Sequence, residues 1–232
     1  MINVIRSDDR GASKLDWLDS KHTFSFADYH NPERVSFGSL RVINEDWIDP
    51  GKGFGMHPHR DMEIITYMLD GELRHEDSMG NGSVIRPGEL QRMTAGTGVM
   101  HSEFNSSDAT AAHLLQIWIM PEARGLQPGY EQKSFAPEGM TNQWRLIGSR
   151  DGRDGSLTIH QDIDVFEALI DKAVDIEFDL DQGRRAFLQV VRGNVTLADE
   201  TLQSGDAVTI ENPGSIRVRA DSESRLLLFD MG

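Results

Sequence analysis

Two pairs of possible metal ligands constrain the fold of this chain more than any other feature. In each pair, here called a doublet, the residues are two positions apart and lie inside a glycine-rich segment. The first doublet is His57 and His59, and the second is His101 and Glu103. In a β-strand, residues two apart point to the same face, so each doublet aims both side chains to one side. Residues 60–100 separate the doublets, which excludes a local finger or loop site. The doublets therefore predict two strands that converge on one metal site.

The ligand types in the doublets define the kind of cation. Three imidazoles and one carboxylate suit a borderline divalent metal ion. A second carboxylate, Glu63, has the same strand parity as His57 and His59. Parity therefore leaves Glu63 and Glu103 open as the fourth ligand.

Polar residues near the doublets are candidates to orient the ligand imidazoles through their second ring nitrogen. A position on the surface is the alternative for each of them. The candidates are Gln91, Gln116, His113 and Asp61.

The spacing of strand and turn signals predicts an all-β chain. Residues 63–69 and 113–120 are rich in β-branched, aromatic and other apolar residues, and short runs of this kind recur between Gly, Pro and Asn turns. Asp70-Gly71 predicts a hairpin turn, and Pro213-Gly214 predicts another turn. Residues 7–19 are polar and are predicted to be irregular.

An internal similarity predicts two barrels in tandem. The sequence VVRGNVTL…LQSGDAVTI in the second half is similar to YMLDGELRH…IRPGELQRM in the first half. The second half has one histidine, His160, and one imidazole does not make a metal site. We therefore predict a metal-binding barrel at residues 1–130 and a barrel without metal ligands at residues 131–232.

Composition excludes several classes of function. The chain has 232 residues and a formal net charge of −15, which opposes direct binding of nucleic acid. It has no cysteine, so disulfides and thiol catalysis are excluded. The N-terminus lacks the apolar core of a signal peptide, and no apolar run has the length of a membrane span. These features predict a cytoplasmic protein without a membrane or nucleic-acid partner.

The spacing of glycines and ligands resembles the two motifs of the cupin superfamily. The first motif is matched by Gly51-x5-His57-x-His59-x3-Glu63-x7-Gly71, and the second by Gly98-x2-His101-x3-Asn105. The match departs from the cupin pattern in two ways: Gly96 stands where many cupins have proline, and the segment from Glu63 to Gly71 is one residue longer than usual. The resemblance implies two tandem cupin barrels, each a double-stranded β-helix or jelly roll.

Within the cupins, the chain resembles the pirin family. The resemblance rests on HTFSFADYHNP (22–32), HPHRDMEIITYMLDGELRHEDSMGN (57–81), LQRMTAGTGVMHSEFN (90–105) and LLQIWIMP (114–121), and it is weaker beyond about residue 130. In pirin-like proteins the metal ligands match His57, His59, His101 and Glu103. The resemblance thus favours Glu103 over Glu63 as the fourth ligand.

The pirin resemblance also implies an activity. Pirin-like proteins are associated with quercetin 2,3-dioxygenase activity, which cleaves the flavonol heterocycle and releases carbon monoxide. We therefore expect a metal-dependent dioxygenase that takes dioxygen and a flat, flavonol-like aromatic substrate, with Glu103 as catalytic base. The expected cofactor is one divalent metal ion per chain; iron is favoured, and Mn, Ni, Cu, Co and Zn are compatible with the ligands.

Two other functions are consistent with parts of the sequence. Some pirins act as iron-containing partners of other proteins, which suggests a metal-binding regulatory protein that acts through a protein partner. A sugar or nucleotide isomerase on a cupin scaffold is the weaker alternative, because the motifs lack nearby basic residues for such substrates.

Overall fold

The computed structural model describes residues 1–211 and 214–232 and is built almost entirely of antiparallel β-strands. The strands of the first half are β1 (Ile2–Ile5), β2 (Gly11–Lys14), β3 (Leu18–His22), β4 (Leu40–Ile48), β5 (Gly53–His59), β6 (Glu63–Asp70), β7 (Leu73–Asp77), β8 (Gly82–Ile85), β9 (Glu89–Thr94), β10 (Val99–Asn105), β11 (Ala112–Ile119) and β12 (Gly129–Ser134).

The second half continues in the same style. Its strands are β13 (Arg145–Ser149), β14 (Leu157–Thr158), β15 (Ile163–Ile170), β16 (Asp175–Leu180), β17 (Arg185–Arg192), β18 (Asn194–Leu197), β19 (Glu200–Gln203), β20 (Ala207–Ile210), β21 (Gly214–Ala220) and β22 (Ser224–Met231). Short 3₁₀-helices lie at Ser7–Asp9, Pro137–Gly139 and Arg153–Gly155.

The chain forms two compact units, each assembled from separate segments. The N-terminal unit contains Gly11–Phe135 and Leu157–Gln161, and the C-terminal unit contains Met1–Arg10, Ala136–Ser156 and Asp162–Gly232. β1 belongs to the C-terminal unit because it pairs with β20 along its length. The functional division, with a metal-binding barrel at residues 1–130 and a metal-free barrel at residues 131–232, stays a prediction.

The N-terminal unit consists of two sheets around an apolar core. The large sheet has the order β12-β9-β6-β11-β4-β3-β2, and the small sheet has the order β5-β10-β7-β8. Met68 and Leu114 of the large sheet pack with Leu73 and Ile85 of the small sheet. The inner faces of the two sheets therefore close into one barrel.

The C-terminal unit repeats this architecture. One of its sheets contains β1, β20, β17, β22, β15 and β13 in that order, and the other has the order β16-β21-β18-β19. Leu188 and Leu226 of the first sheet share a core with Val195 and Val218 of the second. Two antiparallel two-sheet units in one chain confirm the predicted all-β fold of two tandem jelly-roll barrels.

The predicted hairpin at Asp70-Gly71 is wrong, because this turn connects two different sheets. β6 pairs with β9 and β11 in the large sheet, whereas β7 pairs with β8 and β10 in the small sheet. Gly71 has a φ of 73°, and a Cβ atom there would lie 2.7 Å from the carbonyl oxygen of Ala111. Glycine thus allows the tight corner that carries the chain from one wall of the barrel to the other.

The prediction that residues 7–19 are irregular is wrong. The predicted irregular segment 7–19 contains β2 and the start of β3, which pair with each other at the edge of the large sheet. The turn predicted at Pro213-Gly214 lies partly outside the described residues.

None of the helices in the described part of the chain is long and apolar enough to cross a membrane. The cytoplasmic location stays a prediction.

Candidate metal centre

The pairing of β5 with β10 brings the two doublets together. His101 lies directly opposite His57 across the antiparallel pair, and Val99 lies opposite His59. The ring centroids of His57 and His101 are 4.4 Å apart, and those of His59 lie 4.8 Å from both. Three imidazoles therefore share one face of the small sheet, as the two-residue spacing predicts.

The ring nitrogens of this trio fit a single cation. One ring nitrogen from each of the three histidines lies within 4.8 Å of the others. Donors on one first-row ion are about 3 to 4 Å apart, so small side-chain movements complete the site. His57 Nδ1 donates a hydrogen bond to the carbonyl oxygen of Gly55 (2.8 Å), which leaves Nε2 with a free lone pair. His101 Nε2 is buried and has no hydrogen-bond partner in the structure, which fits an atom that binds a metal ion.

The protonation of the trio also favours a metal ion. Burial lowers the pKa of His101 to about 3, with a further contribution from the neighbouring imidazoles His57 and His75. Burial, and then the charges of His101 and His57, lower the pKa of His59 to about 4. Both imidazoles are therefore neutral at pH 7, so their lone pairs are available without release of a proton.

Glu103 lies beside His101 in the interior of the barrel. Its carboxylate, His101 and His75 form a second group whose ligand atoms lie within 4.8 Å of one another. Gln116 Nε2 donates to both carboxylate oxygens, at 3.0 and 3.1 Å, and Thr66 Oγ1 donates to Oε1 at 3.3 Å. The side chain is 4% exposed. Of the predicted orienting residues, Gln116 thus contacts the carboxylate of a proposed ligand.

Glu63 has a different environment. It is fully buried at the start of β6, where its Oε2 accepts a hydrogen bond from Thr94 Oγ1 (3.1 Å) and lies 3.3 Å from His160 Nδ1. Asp61 has a left-handed φ of 49°, which breaks the strand between His59 and Glu63. Although Glu63 lies an even number of residues from His57 and His59, its side chain therefore does not share a face with these two histidines. Among the described residues, one of the two groups of three ligand atoms includes Glu103, and neither group includes Glu63.

Other predicted orienting residues lie outside the histidine trio. His113 stacks on Trp47 with ring centroids 4.4 Å apart and forms a hydrogen bond with Glu45 at 2.9 Å. The Oδ1 atom of Asp61 accepts the backbone N–H of Gly125 at 2.7 Å. These two side chains stabilise β11 and a surface loop, and their hydrogen bonds do not reach the proposed ligands.

His75 is fully buried on β7 and is not among the site residues predicted from the sequence. Its Nδ1 atom lies 3.4 Å from Nδ1 of His101, and its Nε2 atom lies 3.2 Å from Oδ2 of Asp77. The signal was present as a third pair of polar residues two positions apart, His75 and Asp77. What the pattern did not reveal is that β7 pairs with β10 and so reaches the same cavity.

A cavity of about 560 Å³ opens next to the histidine trio within the N-terminal unit. His57, His59 and Glu103 border it on one side. Its apolar lining includes Phe26, Phe54 and Trp118, and its polar lining includes Ser20, His22, Asn44, Asp46 and Gln116. The cavity therefore combines potential metal ligands, aromatic walls and buried hydrogen-bonding groups.

Fold and site together define a two-barrel cupin protein with a histidine-rich centre inside its N-terminal barrel. The pirin family profile matches residues 5–119, and a profile described as the quercetinase C-terminal cupin domain matches residues 146–231. A relative in Escherichia coli K12, named quercetin 2,3-dioxygenase, is 46% identical over 232 residues, which cover 100% of this chain and 99% of the relative. The chain belongs to the pirin family.

Solved structures agree with this assignment. The crystal structure of YhhW from Escherichia coli has a TM-score of 0.97 and 45% identity, and the match covers 100% of this chain and 98% of that chain. The bacterial pirin YhhW in complex with nickel(II) has a TM-score of 0.95 and 46% identity, with coverage of 100% and 99%. The similarity therefore extends over both barrels.

Proposed function

We propose that this protein is a metal-dependent dioxygenase that cleaves flavonols such as quercetin with release of carbon monoxide. The observation that carries the proposal is the cavity of about 560 Å³ that joins the histidine trio to aromatic walls. The name of the Escherichia coli relative, quercetin 2,3-dioxygenase, supports the same substrate class. Pockets of 300 to 1,000 Å³ hold small organic ligands, so the volume suits one flavonol.

His57, His59, His101 and Glu103 are the proposed ligands of one divalent metal ion. The unpartnered Nε2 of buried His101 and the clustered ring nitrogens support this set. The similar Escherichia coli pirin was solved in complex with nickel(II), which supports a divalent ion of this group. When bound, such an ion supplies Lewis acidity toward a substrate oxygen and redox chemistry toward dioxygen.

Aromatic side chains form part of the cavity wall beside the histidine trio. The rings of Phe26 and Trp118 meet edge to face at 5.5 Å, and Trp118 meets His59 edge to face at 4.9 Å. An aromatic substrate in the cavity can contact these rings, and each aromatic pair contributes about 0.5 to 1.5 kcal/mol. The aromatic lining therefore favours aromatic substrates over sugars.

The polar wall is suited to recognise ring hydroxyl groups. Ser20 Oγ donates to Asp46, and His22 Nδ1 lies 2.8 Å from Asn44 Oδ1. Burial is the main cause that raises the pKa of Asp46 to about 7. Near neutral pH this carboxyl group is partly protonated, so it can donate or accept a hydrogen bond. The hydroxyl groups of a polyhydroxylated aromatic molecule can exchange hydrogen bonds with this polar wall.

Glu103 is the proposed base for the flavonol 3-hydroxyl proton. Its carboxylate borders the cavity, and hydrogen bonds from Gln116 and Thr66 hold it in one orientation. A carboxylate within hydrogen-bond reach of an acidic hydroxyl group is a competent base. Gln116 and Thr66 therefore position the group that accepts the proton.

Oxygen consumption tests this proposal directly. Protein reconstituted with iron(II) or nickel(II) is expected to consume dioxygen and release carbon monoxide in the presence of quercetin, with kcat/KM in the usual enzyme range of about 10⁴ to 10⁸ M⁻¹s⁻¹. A flavone that lacks the 3-hydroxyl group is the matched control, because it offers Glu103 no proton to accept. Turnover far below this range, and equal for both compounds, would reject the dioxygenase role.

Action through a protein partner is the alternative proposal. The net charge of −15 favours a protein over nucleic acid as the partner of such a regulatory protein. A metal-loaded protein that does not turn over quercetin supports this alternative. The absence of nucleic-acid and membrane partners stays a prediction.

A further inference from the structure

A buried chain of polar side chains runs from Asp77 through His75 to His101. His75 Nε2 lies 3.2 Å from Asp77 Oδ2, and both side chains are 0% exposed. On the other side of the ring, His75 Nδ1 lies 3.4 Å from His101 Nδ1. The remaining nitrogen of His101, Nε2, is the unpartnered atom at the histidine trio. This series of polar side chains thus ends at a proposed metal-binding atom.

The hydrogen bonds around Asp77 fix the direction of this chain. Asp77 Oδ1 accepts the backbone N–H groups of Met79 (2.9 Å) and Asn81 (3.0 Å). Asp77 Oδ2 accepts Asn81 Nδ2 at 2.9 Å. The carboxylate therefore acts only as an acceptor, and the ring nitrogen that faces it must be the donor, so His75 carries a proton on Nε2.

The tautomer of His101 follows from that of His75. A neutral imidazole has one N–H, so protonation of His75 at Nε2 makes its Nδ1 an acceptor. His101 Nδ1 must then donate across the 3.4 Å contact. With its proton on Nδ1, neutral His101 presents an unprotonated Nε2 to the cavity, which is the form that binds a metal ion.

We propose that Asp77 and His75 are positioning residues that hold His101 in its metal-binding tautomer. A carboxylate that orients a ligand imidazole is a common arrangement behind metal sites. In this protein, the imidazole of His75 lies between the carboxylate of Asp77 and the proposed ligand His101. The inference rests on the proposed metal site and is independent of the flavonol reaction.

Asp77→Asn is expected to reverse the donor-to-acceptor direction of the hydrogen bonds from residue 77 through His75 to His101. The substitution removes no heavy atom from this series of side chains. The backbone N–H groups of Met79 and Asn81 hold the amide oxygen in the place of Oδ1, so the NH₂ group faces His75 Nε2. His75 then donates through Nδ1, and His101 is left with its proton on Nε2. We expect the affinity for nickel(II), measured by competition with a chromophoric chelator, to fall about 10- to 100-fold.

A second readout does not need metal. In metal-free protein with ¹⁵N-labelled histidine, long-range ¹H–¹⁵N spectra are expected to show His101 protonated at Nδ1, and protonated at Nε2 in Asp77→Asn. Glu76→Gln is the matched control, because Glu76 lies on the same strand with a 58% exposed side chain. It is expected to change neither the affinity nor the spectrum.

Two variants of His75 keep the proposal testable if Asp77→Asn does not fold. His75→Asn retains an acceptor oxygen near the position of Nδ1, and His75→Phe retains the ring that packs 5.1 Å from the ring of Tyr130 without any nitrogen. The asparagine variant is expected to bind nickel(II) more tightly than the phenylalanine variant. Equal affinities would point to packing alone and would overturn the proposal.

The outcomes separate this inference from the metal site itself. Wild-type protein that binds nickel(II), with unchanged affinity and an unchanged His101 tautomer in Asp77→Asn, overturns the inference alone. A wild-type spectrum in which His75 is protonated on both nitrogens also overturns it. Wild-type protein that binds no nickel(II) at His101 removes the proposed metal site and the inference with it.

Discussion

Replacement of His57 and His101 by alanine in one protein is expected to abolish stoichiometric metal binding. The two residues face each other across β5 and β10, so the double variant removes two of the three proposed imidazole ligands at once. The fold is expected to survive, because Met68, Leu73, Ile85 and Leu114 supply an apolar core that does not include them. Elemental analysis of tag-free protein and far-UV circular dichroism measure the two effects.

His30→Ala is the control for the loss of an imidazole, because His30 is exposed and lies outside the histidine trio. It is expected to keep the full metal content. A double variant that retains one equivalent of tightly bound metal would show that the assignment of His57 and His101 is wrong.

Glu103→Gln is expected to lower kcat/KM for quercetin by about 10²- to 10⁴-fold per bound metal, the usual contribution of a positioned base. Glutamine keeps the shape of the side chain but does not accept the substrate proton. The loss is expected mainly in kcat, because the aromatic and polar cavity walls that are proposed to contact the substrate are unchanged. Steady-state oxygen consumption, normalised to metal content, measures it.

Glu63→Gln is the matched control for a buried carboxylate in the same unit. Its carboxylate interacts with Thr94 and His160, away from the histidine trio, so kcat/KM is expected to stay close to that of the wild type. The reverse order of effects would mean that this chain uses Glu63 in place of Glu103. Unchanged kcat/KM in Glu103→Gln at equal metal content would remove Glu103 from the proton transfer.

Strands with strong apolar patterns could be predicted from the sequence, and the polar strands β2 and β3 could not. β6 and β11 are buried on both faces in the middle of the large sheet and have long runs of apolar residues. β2 and β3 contribute Ser13, Ser20 and His22 to the polar lining of the cavity. Apart from Leu18, the buried residues of β3 are therefore polar, and the segment has little hydrophobic alternation by which to recognise it.

Pairing between distant strands was the second limit of prediction. Asp70-Gly71 carries a hairpin signal, but the signal reports only the local turn and not the sheet to which the next strand belongs. In the same way, β1 is a recognisable strand, yet its partner β20 lies about 200 residues further along the chain. Such pairings depend on the closure of the barrels and leave no local trace in the sequence.

At the candidate metal site, too, arrangements within one strand could be predicted from the sequence, whereas contacts that depend on distant strands could not. Two-residue spacing predicts that His57 and His59 share a face, because both lie within β5. The same parity fails for Glu63, because the left-handed backbone at Asp61 lies between the two strands. His75 was missed because its role depends on the pairing of β7 with β10.

The position of the metal ion in a crystal of nickel-loaded protein tests the central claim most directly. Anomalous difference maps from data collected above and below the nickel absorption edge locate the ion without reference to any assumed ligand. The proposed site predicts one peak per chain, within bonding distance of His57, His59, His101 and Glu103. A peak beside Glu63 and His160, or one in the C-terminal unit with none at the histidine trio, would contradict it.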